Sequence, residues 1–159
     1  MSSQPKSPQN RISFDERVEI LAKELELAVK WQRPCILLLV YSSEYVREDV
    51  EAALGNYLYD LGQRTVHLRI KDRKSGQIIP FLQEFKNPAN AVFFIDGFRW
   101  GKSDAAGVYS NLNLQREFFV ERAIRTIFWL TEKEIVELAH AAPDFWAYRH
   151  RVIEFVDGE

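Results

Sequence analysis

The amino-acid sequence predicts an α/β fold, a three-layer αβα sandwich around a five-stranded, mainly parallel sheet. The first indication is that two segments, Cys35–Tyr41 and Ala91–Ile95, are apolar at almost every position. A strand without a polar face belongs in a sheet that is covered on both sides, as parallel sheets are. The second indication is that strand-like and helix-like segments alternate five times along the chain, which is the pattern of βαβ crossovers.

The predicted elements follow in order from hydrophobic spacing and from capping residues. The predicted strands are Cys35–Tyr41, Arg64–Ile70, Ala91–Asp96, Ile124–Leu130 and Arg151–Val156. Helices are predicted from Ser13 to Trp31, from Ser43 to Leu61, over Gln77–Lys86 and Leu112–Arg122, after Thr131, and over Asp144–Tyr148. Glu134, three residues after Thr131, predicts a capping box at the start of the helix there. Gly101–Asn111 has no periodic pattern, and we expect a long loop there.

The domain organisation is expected to be simple. Residues 1–12 are rich in Ser, Gln, Pro and Asn and predict a disordered tail, whereas residues 13–157 predict a single domain. The net charge of -2 gives no overall attraction to nucleic acid or to acidic membranes. No apolar run is long enough to cross a bilayer, and a single cysteine, Cys35, is typical of a reducing cytoplasm.

Two sequence blocks resemble a known family. They are Leu112-Asn-Leu-Gln-Arg-Glu-Phe118 with Arg125-Thr-Ile-Phe-Trp-Leu-Thr-Glu132, and Leu138-Ala-His-Ala-Ala-Pro-Asp-Phe-Trp-Ala-Tyr-Arg149 leading into Val152-Ile-Glu-Phe155. Together they resemble a P-loop NTPase-like domain of bacterial multidomain proteins, which often carry tetratricopeptide repeats and are related to signalling NTPases of the STAND type. The resemblance implies strand order 5-1-4-3-2 and a module attached to repeats or partners. A flavodoxin-like sheet is the alternative.

The phosphate-binding motif that such a fold needs for catalysis is missing after the first strand. A working loop has glycines whose backbone N–H groups surround the phosphates, a lysine, and a hydroxyl that holds magnesium. The corresponding segment here is Tyr41-Ser-Ser-Glu-Tyr-Val-Arg47, without glycine or lysine. We expect Ser43 and Glu44 to occupy the anion-attracting start of the second helix, with Ser42 and Ser43 as the residual candidates for a ligand site.

A second segment, Gly97-Phe-Arg-Trp-Gly-Lys-Ser103, contains Gly-Lys-Ser but has too few residues between its glycines. Lys102 and Ser103 are therefore either phosphate ligands of an unusual site or solvated loop residues.

Asp96 corresponds to the magnesium-holding acid of related NTPases, but Gly97 follows it where hydrolysing relatives usually have a second acid. Its alternative role is to accept backbone N–H groups at the strand end.

Other candidate sites have weaker sequence support. The histidines His67, His140 and His150 lie on different elements and predict no metal site. A local basic patch comprises Arg64, Arg69, Lys71, Arg73 and Lys74, but without an RNA-binding aromatic signature it predicts a solvated strand end more than a nucleic-acid site.

The block from Pro143 to Arg149 contains the candidate partner-binding residues Phe145, Trp146, Tyr148 and Arg149. These types are frequent anchors at interfaces, and they equally suit packing of the last helix onto the sheet.

The sequence thus favours a non-catalytic NTPase-like domain that acts as a protein-interaction or signalling module, with a protein partner or other domains of the same chain and without a cofactor. The alternative is an unorthodox nucleotide binder or NTPase that uses ATP or GTP with magnesium through Asp96 and Lys102.

Overall fold

Five parallel strands form one sheet with the order β2-β3-β4-β1-β5. The computed structural model describes residues 13–71, 77–98 and 105–156, except for the side chains of 105 and 106. The strands are β1 (Cys35–Tyr41), β2 (Arg64–Arg69), β3 (Ala91–Asp96), β4 (Arg125–Leu130) and β5 (Arg151–Phe155). The three-layer sandwich and the expected strand order are therefore confirmed. The flavodoxin-like alternative is wrong, because β1 pairs with β4 and β5.

Helices cover both faces of the sheet. They are α1 (Phe14–Trp31), α2 (Glu44–Asp60), α3 (Ile78–Gln83), α4 (Ala105–Leu114), α5 (Glu117–Glu121), α6 (Glu132–Ala141) and α7 (Pro143–Trp146). Helices α1 and α2 pack on one face of the sheet, and α3 to α7 supply the residues of the core on the other face. The predicted tail, residues 1–12, lies outside the described residues.

The central strands β3 and β4 are buried along their whole length and β1 is buried up to Tyr41, and their alternating side chains fill two cores. In β4, Phe128 points into the core under α4 to α7, whereas Ile127 and Trp129 point into the core under α1 and α2. All three side chains are fully buried. Because burying large apolar side chains is the main favourable contribution to folding, β1, β3 and β4 provide the framework that fixes the ends of the strands.

The prediction of a long loop at Gly101–Asn111 is wrong for its second half. Helix α4 begins at Ala105, and residues 101–104 lie outside the described residues. Val108, Tyr109 and Leu112 are buried at helical spacing. The Gly, Ser and Asn residues between them lower the intrinsic helix propensity of the segment, so its sequence did not indicate a helix. Burial of the three side chains in the folded domain stabilises the helix instead.

The predicted helix over Leu112–Arg122 is divided in two. Helix α4 ends at Leu114, and α5 begins at Glu117 after a turn at Gln115 and Arg116. Phe119 on α5 is fully buried against Phe145 of α7, with ring centres 5.4 Å apart. The division rotates α5 so that this aromatic side chain reaches the core.

The protein's one cysteine, Cys35, is buried at the start of β1. Burial raises the pKa of its thiol to about 12. It packs as a small apolar residue in the core under α1 and α2.

A histidine completes the pairing between β1 and β5. The backbone N–H of His150 donates to the carbonyl of Ile36 at 2.8 Å, and the backbone N–H of Ile36 donates to Nδ1 of His150 at 2.9 Å. Only a neutral imidazole has an acceptor nitrogen at this position. Burial lowers the pKa of His150 below its ordinary value, with a smaller opposing effect from Glu24.

We predict that His150 makes stability decrease in mild acid. Because its folded-state pKa is lowered, its contribution is present above the unfolded-state value of 6.5 and is lost as the pH falls through that value toward the folded-state pKa. Urea unfolding between neutral pH and mild acid measures the loss. A His150→Asn variant keeps an acceptor and is expected to show a smaller decrease over the same range; an equal decrease would contradict the assignment.

Two glycines offer a matched test of backbone packing. Gly97 has φ of +92° and a side chain there would meet the backbone of Ile70, with its N at 2.8 Å. Gly55 lies inside α2 with open space around it. We predict that Gly97→Ala loses at least about 2 kcal/mol of unfolding free energy, whereas Gly55→Ala gains about 0.5–1 kcal/mol. Urea unfolding of the two variants checks this, and a Gly97→Ala protein of unchanged stability would refute the close approach.

Candidate functional site

A cleft of about 570 Å³ opens at the carboxyl ends of β1, β3 and β4. Tyr41 ends β1, Asp96 ends β3, and Thr131 follows β4. Helices α2 and α6 begin at the cleft. Ligands of open α/β sheets bind at this edge, so the fold places the cleft where a functional site is expected.

The start of α2, where a phosphate loop would lead into the helix, is occupied by the chain's own side chains. Ser43 is the N-cap, and its hydroxyl accepts from the backbone N–H of Tyr45 at 3.2 Å. Glu44 follows in the first turn, and its Oε1 accepts from Nε of Arg47 at 2.7 Å. The expected capping of this helix by Ser43 is therefore confirmed. The carboxylate of Glu44 supplies the negative charge that the helix start favours.

The start of α6 is occupied in the same way. The hydroxyl of Thr131 accepts from the backbone N–H of Glu134 at 3.3 Å, and Oε1 of Glu134 accepts from the backbone N–H of Thr131 at 3.0 Å. This reciprocal capping box was predicted from the Thr131–Glu134 spacing. Both helix starts at the cleft thus have an internal carboxylate where an external anion would bind.

Asp96 lies at the end of β3 as predicted, but its carboxylate has a role that the sequence did not reveal. Nε and an Nη of Arg69 donate to its two oxygens at 3.1 and 2.9 Å. A guanidinium nitrogen of Arg47 lies 3.2 Å from Oδ2. Two arginines therefore hold the carboxylate, one of them through a bidentate pair.

Arg47 is the centre of this network. Its side chain is 8% exposed and lies between the carboxylates of Glu44, Glu51 and Asp96, at 2.7, 3.2 and 3.2 Å. Burial lowers its pKa, but the hydrogen bond to Glu44 and the charges of Glu51 and Asp96 outweigh that effect and raise it. The guanidinium is therefore permanently charged and surrounded by partners.

Glu51 connects the network to the core. Its Oε2 accepts from Nε1 of Trp129 at 2.9 Å as well as facing Arg47, and Nδ1 of His67 lies 3.9 Å from its Oε1. Burial raises the pKa of Glu51, although Arg47 opposes this shift. The fully buried indole of Trp129 and the buried guanidinium of Arg47 together fix this carboxylate, so the wall of the cleft is tied to β4.

The cleft has an excess of negative charge. The carboxylates of Glu44, Glu48, Asp96 and Glu134 line it, against two guanidiniums. Burial, followed by the charge of Glu44, raises the pKa of Tyr41 to about 12, so its hydroxyl stays protonated. The lining favours neutral or cationic groups over a polyanion.

The structure separates the other predicted site residues. Ser42 lines the cleft, whereas Lys102 and Ser103 lie outside the described residues. In the predicted basic patch, Arg69 binds Asp96 and Arg64 stacks on Phe85 with its Cζ 5.2 Å from the ring centre. Arg73 and Lys74 lie outside the described residues.

The predicted partner-binding block also divides. Phe145 is fully buried in the core, which corresponds to the packing alternative. Trp146, Tyr148 and Arg149 are half-buried, and Cζ of Arg149 lies 4.1 Å from the ring centre of Trp146.

The sequence contained an unused signal for Arg47. Its position is in helical register with Val50, Leu54 and Leu58, which are buried on α2. A charged residue in an apolar stripe needs a buried partner, and Glu44 and Glu51 stand three and four residues away. The contact with Asp96 depends on the sheet order and has no local signal.

No helix in the described part of the chain combines the length and the apolarity that crossing a membrane requires. Among the same residues, no three His, Cys, Asp or Glu side chains are grouped so that they could hold a metal ion.

We predict unequal effects from removing the two arginines at Asp96. Arg47→Met leaves Glu51 and Asp96 partly buried beside one fewer cation and is expected to cost about 3 kcal/mol of unfolding free energy. Arg69 is 53% exposed, and Arg69→Met is expected to cost less than about 1 kcal/mol because water replaces it. Urea unfolding of both variants gives the comparison. Equal losses would show that Arg47 is not the central cation.

No protein-family model matches this chain, and the search of curated proteins gives no match. Among solved structures, the chain is similar to one in the crystal structure of Rif2 in complex with the C-terminal domain of Rap1. The TM-score is 0.52 at 11% sequence identity, over 90% of this chain and 52% of the other. The chain thus spans about half the length of that neighbour. A likeness at this identity supports the three-layer α/β fold alone.

Proposed function

We propose that this chain is a non-catalytic domain of the P-loop NTPase-like type. It acts as a protein-interaction or signalling module within a larger bacterial multidomain protein of the cytoplasm. The observation that carries the proposal is that both oxygens of Asp96 are held by arginines of the same chain. A magnesium ion would have to displace Arg69 or Arg47 from this carboxylate.

The charges in the cleft also act against a nucleotide. A triphosphate at the start of α2 would approach Glu44, and Glu48, Asp96 and Glu134 line the same cleft. At about 5 Å and an effective dielectric constant of about 20, each pair of like unit charges costs about 3 kcal/mol. Phosphoryl transfer depends on positioning and on neutralising the phosphates, and these side chains oppose both.

A domain whose ligand position is occupied by its own side chains can still bind other proteins through its surface. The Rif2–Rap1 structure is, by its own description, a complex between proteins. Since its identity to this chain is low, it lends the proposal only the precedent of a similar fold in a protein complex.

We predict that millimolar ATP or GTP with magnesium leaves the melting temperature unchanged within about 1 °C, because a ligand stabilises a protein only by binding its folded state. A thermal-shift scan measures this. An upward shift that disappears in Lys102→Ala would favour the nucleotide-binding alternative.

A measurement of nucleotide hydrolysis provides a second test of the proposed function. ATP or GTP hydrolysis that is lost in Asp96→Asn and kept in Glu154→Gln would contradict the proposal. Glu154 is a matched control because it is an exposed carboxylate on β5. A contaminating hydrolase would be insensitive to both changes.

A further inference from the structure

Three arginines stack on three aromatic rings beside α5 and α7. Cζ of Arg149 lies 4.1 Å from the ring centre of Trp146, Cζ of Arg122 lies 5.4 Å from that of Phe118, and Cζ of Arg116 lies 5.8 Å from that of Tyr148. We call this the arginine–aromatic surface; it consists of Arg116, Phe118, Arg122, Trp146, Tyr148 and Arg149. Only Trp146, Tyr148 and Arg149 were singled out by the sequence.

Hydrogen bonds hold the start of α7 against the end of α4, the helix that leads into α5. Oδ1 of Asn113 accepts from the backbone N–H groups of Asp144 and Phe145 at 2.7 and 3.0 Å. Arg116 donates to the carbonyl of Asn113 at 2.6 Å and reaches to 4.0 Å from the carboxylate of Asp144. An asparagine of α4 thus fixes the start of α7, and Arg116 spans the junction.

The surface lies at the opposite edge of the sheet from the cleft. Helix α5 ends just before β4 and α7 just before β5, so both stand at the amino ends of these strands. Arg116 and Arg122 flank the five-residue helix α5, about 9 Å apart along its axis. A partner bound here leaves the cleft accessible.

The stacked guanidiniums have unused hydrogen-bonding capacity. Arg149 donates to the carbonyl of Trp146 at 2.8 Å. Within the described parts of the chain, no carboxylate lies within ion-pair distance of Arg122 or Arg149. Stacking holds each planar group in place, so less rotamer freedom is lost when its free N–H groups bind a carboxylate.

We propose that the arginine–aromatic surface docks an acidic, aromatic-containing segment of a partner protein. This inference rests on the proposed function and names the chemistry of the partner. Guanidiniums bind carboxylates in bidentate geometry, and the rings beside them offer apolar contact; Trp, Tyr and Arg are the types that dominate binding energy at protein interfaces. Leu114, two residues before Arg116, is a further exposed apolar side chain, 75% exposed at the end of α4.

The charges around the surface favour a peptide over a nucleic acid. Glu117 and Glu121 are exposed on α5 between the flanking arginines, and Asp144 is exposed beside Arg116. A continuous phosphate backbone would meet these carboxylates, whereas a peptide can place its acidic and neutral side chains to match the alternation.

The test is fluorescence anisotropy with a labelled peptide built from the repeated block Glu-Glu-Leu-Trp. We expect binding that weakens with salt and that falls at least about tenfold in Arg122→Gln/Arg149→Gln, because charge-assisted hydrogen bonds are lost. Arg33→Gln is the matched control, since it removes an exposed arginine after α1 and is expected to bind as well as the unchanged protein. A thermal melt of each variant verifies folding.

Several results would overturn the proposal. The peptide could fail to bind, or Arg33→Gln could weaken binding as much as Arg122→Gln/Arg149→Gln does. Binding could also stay equally tight when Gln replaces Glu in the peptide. Tighter binding of a labelled oligouridine with the same dependence on Arg122 and Arg149 would assign the surface to nucleic acid instead. The peptide experiment tests only the docking surface. The proposed function is tested separately, because a rise in melting temperature with magnesium and nucleotide would contradict it whether or not the peptide binds.

Discussion

The arrangement of the carboxyl edge depends on one buried cation. Arg47 lies between carboxylates from its own helix and from β3, and Arg69 of β2 binds both oxygens of Asp96. The network therefore ties α2 to two strands at the place where the sheet would otherwise open to a ligand. Removing charges from water is costly, and this cost is offset only when every charge has a partner. Replacing one carboxylate of this network by a phosphate would therefore leave another charged group without its partner.

The two edges of the sheet differ in how their arginine side chains are held. Carboxylates dominate the cleft at the carboxyl edge, whereas stacked guanidiniums lie beside α5 and α7 at the amino edge. In the cleft both arginines, Arg47 and Arg69, are paired with carboxylates of the same chain. At the amino edge Arg122 and Arg149 are supported mainly by aromatic rings, which hold their side chains without consuming their hydrogen bonds. The arginines of the cleft are bound within the chain, whereas Arg122 and Arg149 have free N–H donors. This difference is consistent with a scaffold that binds partners through its surface.

The fold was predictable because its signals are local or strongly periodic. A few neighbouring residues are enough to recognise an uninterrupted apolar strand such as Ala91–Ile95 or a capping pair such as Thr131 with Glu134. The strand order came with the family resemblance. Helix α4 was missed because its burial outweighs weak propensity, and the contact between Arg69 and Asp96 was missed because two residues 27 positions apart meet only once β2 and β3 pair.

The buried position of Cys35 has a practical consequence. At a pKa of about 12 its sulfur is almost entirely in the thiol form at neutral pH, and the thiolate is the nucleophile in alkylation and disulfide exchange. The native chain thus behaves toward such reagents as if it had no cysteine. A thiol engineered on either edge of the sheet would be labelled selectively, giving a single attachment point for a spin label, a fluorophore or a cross-linker.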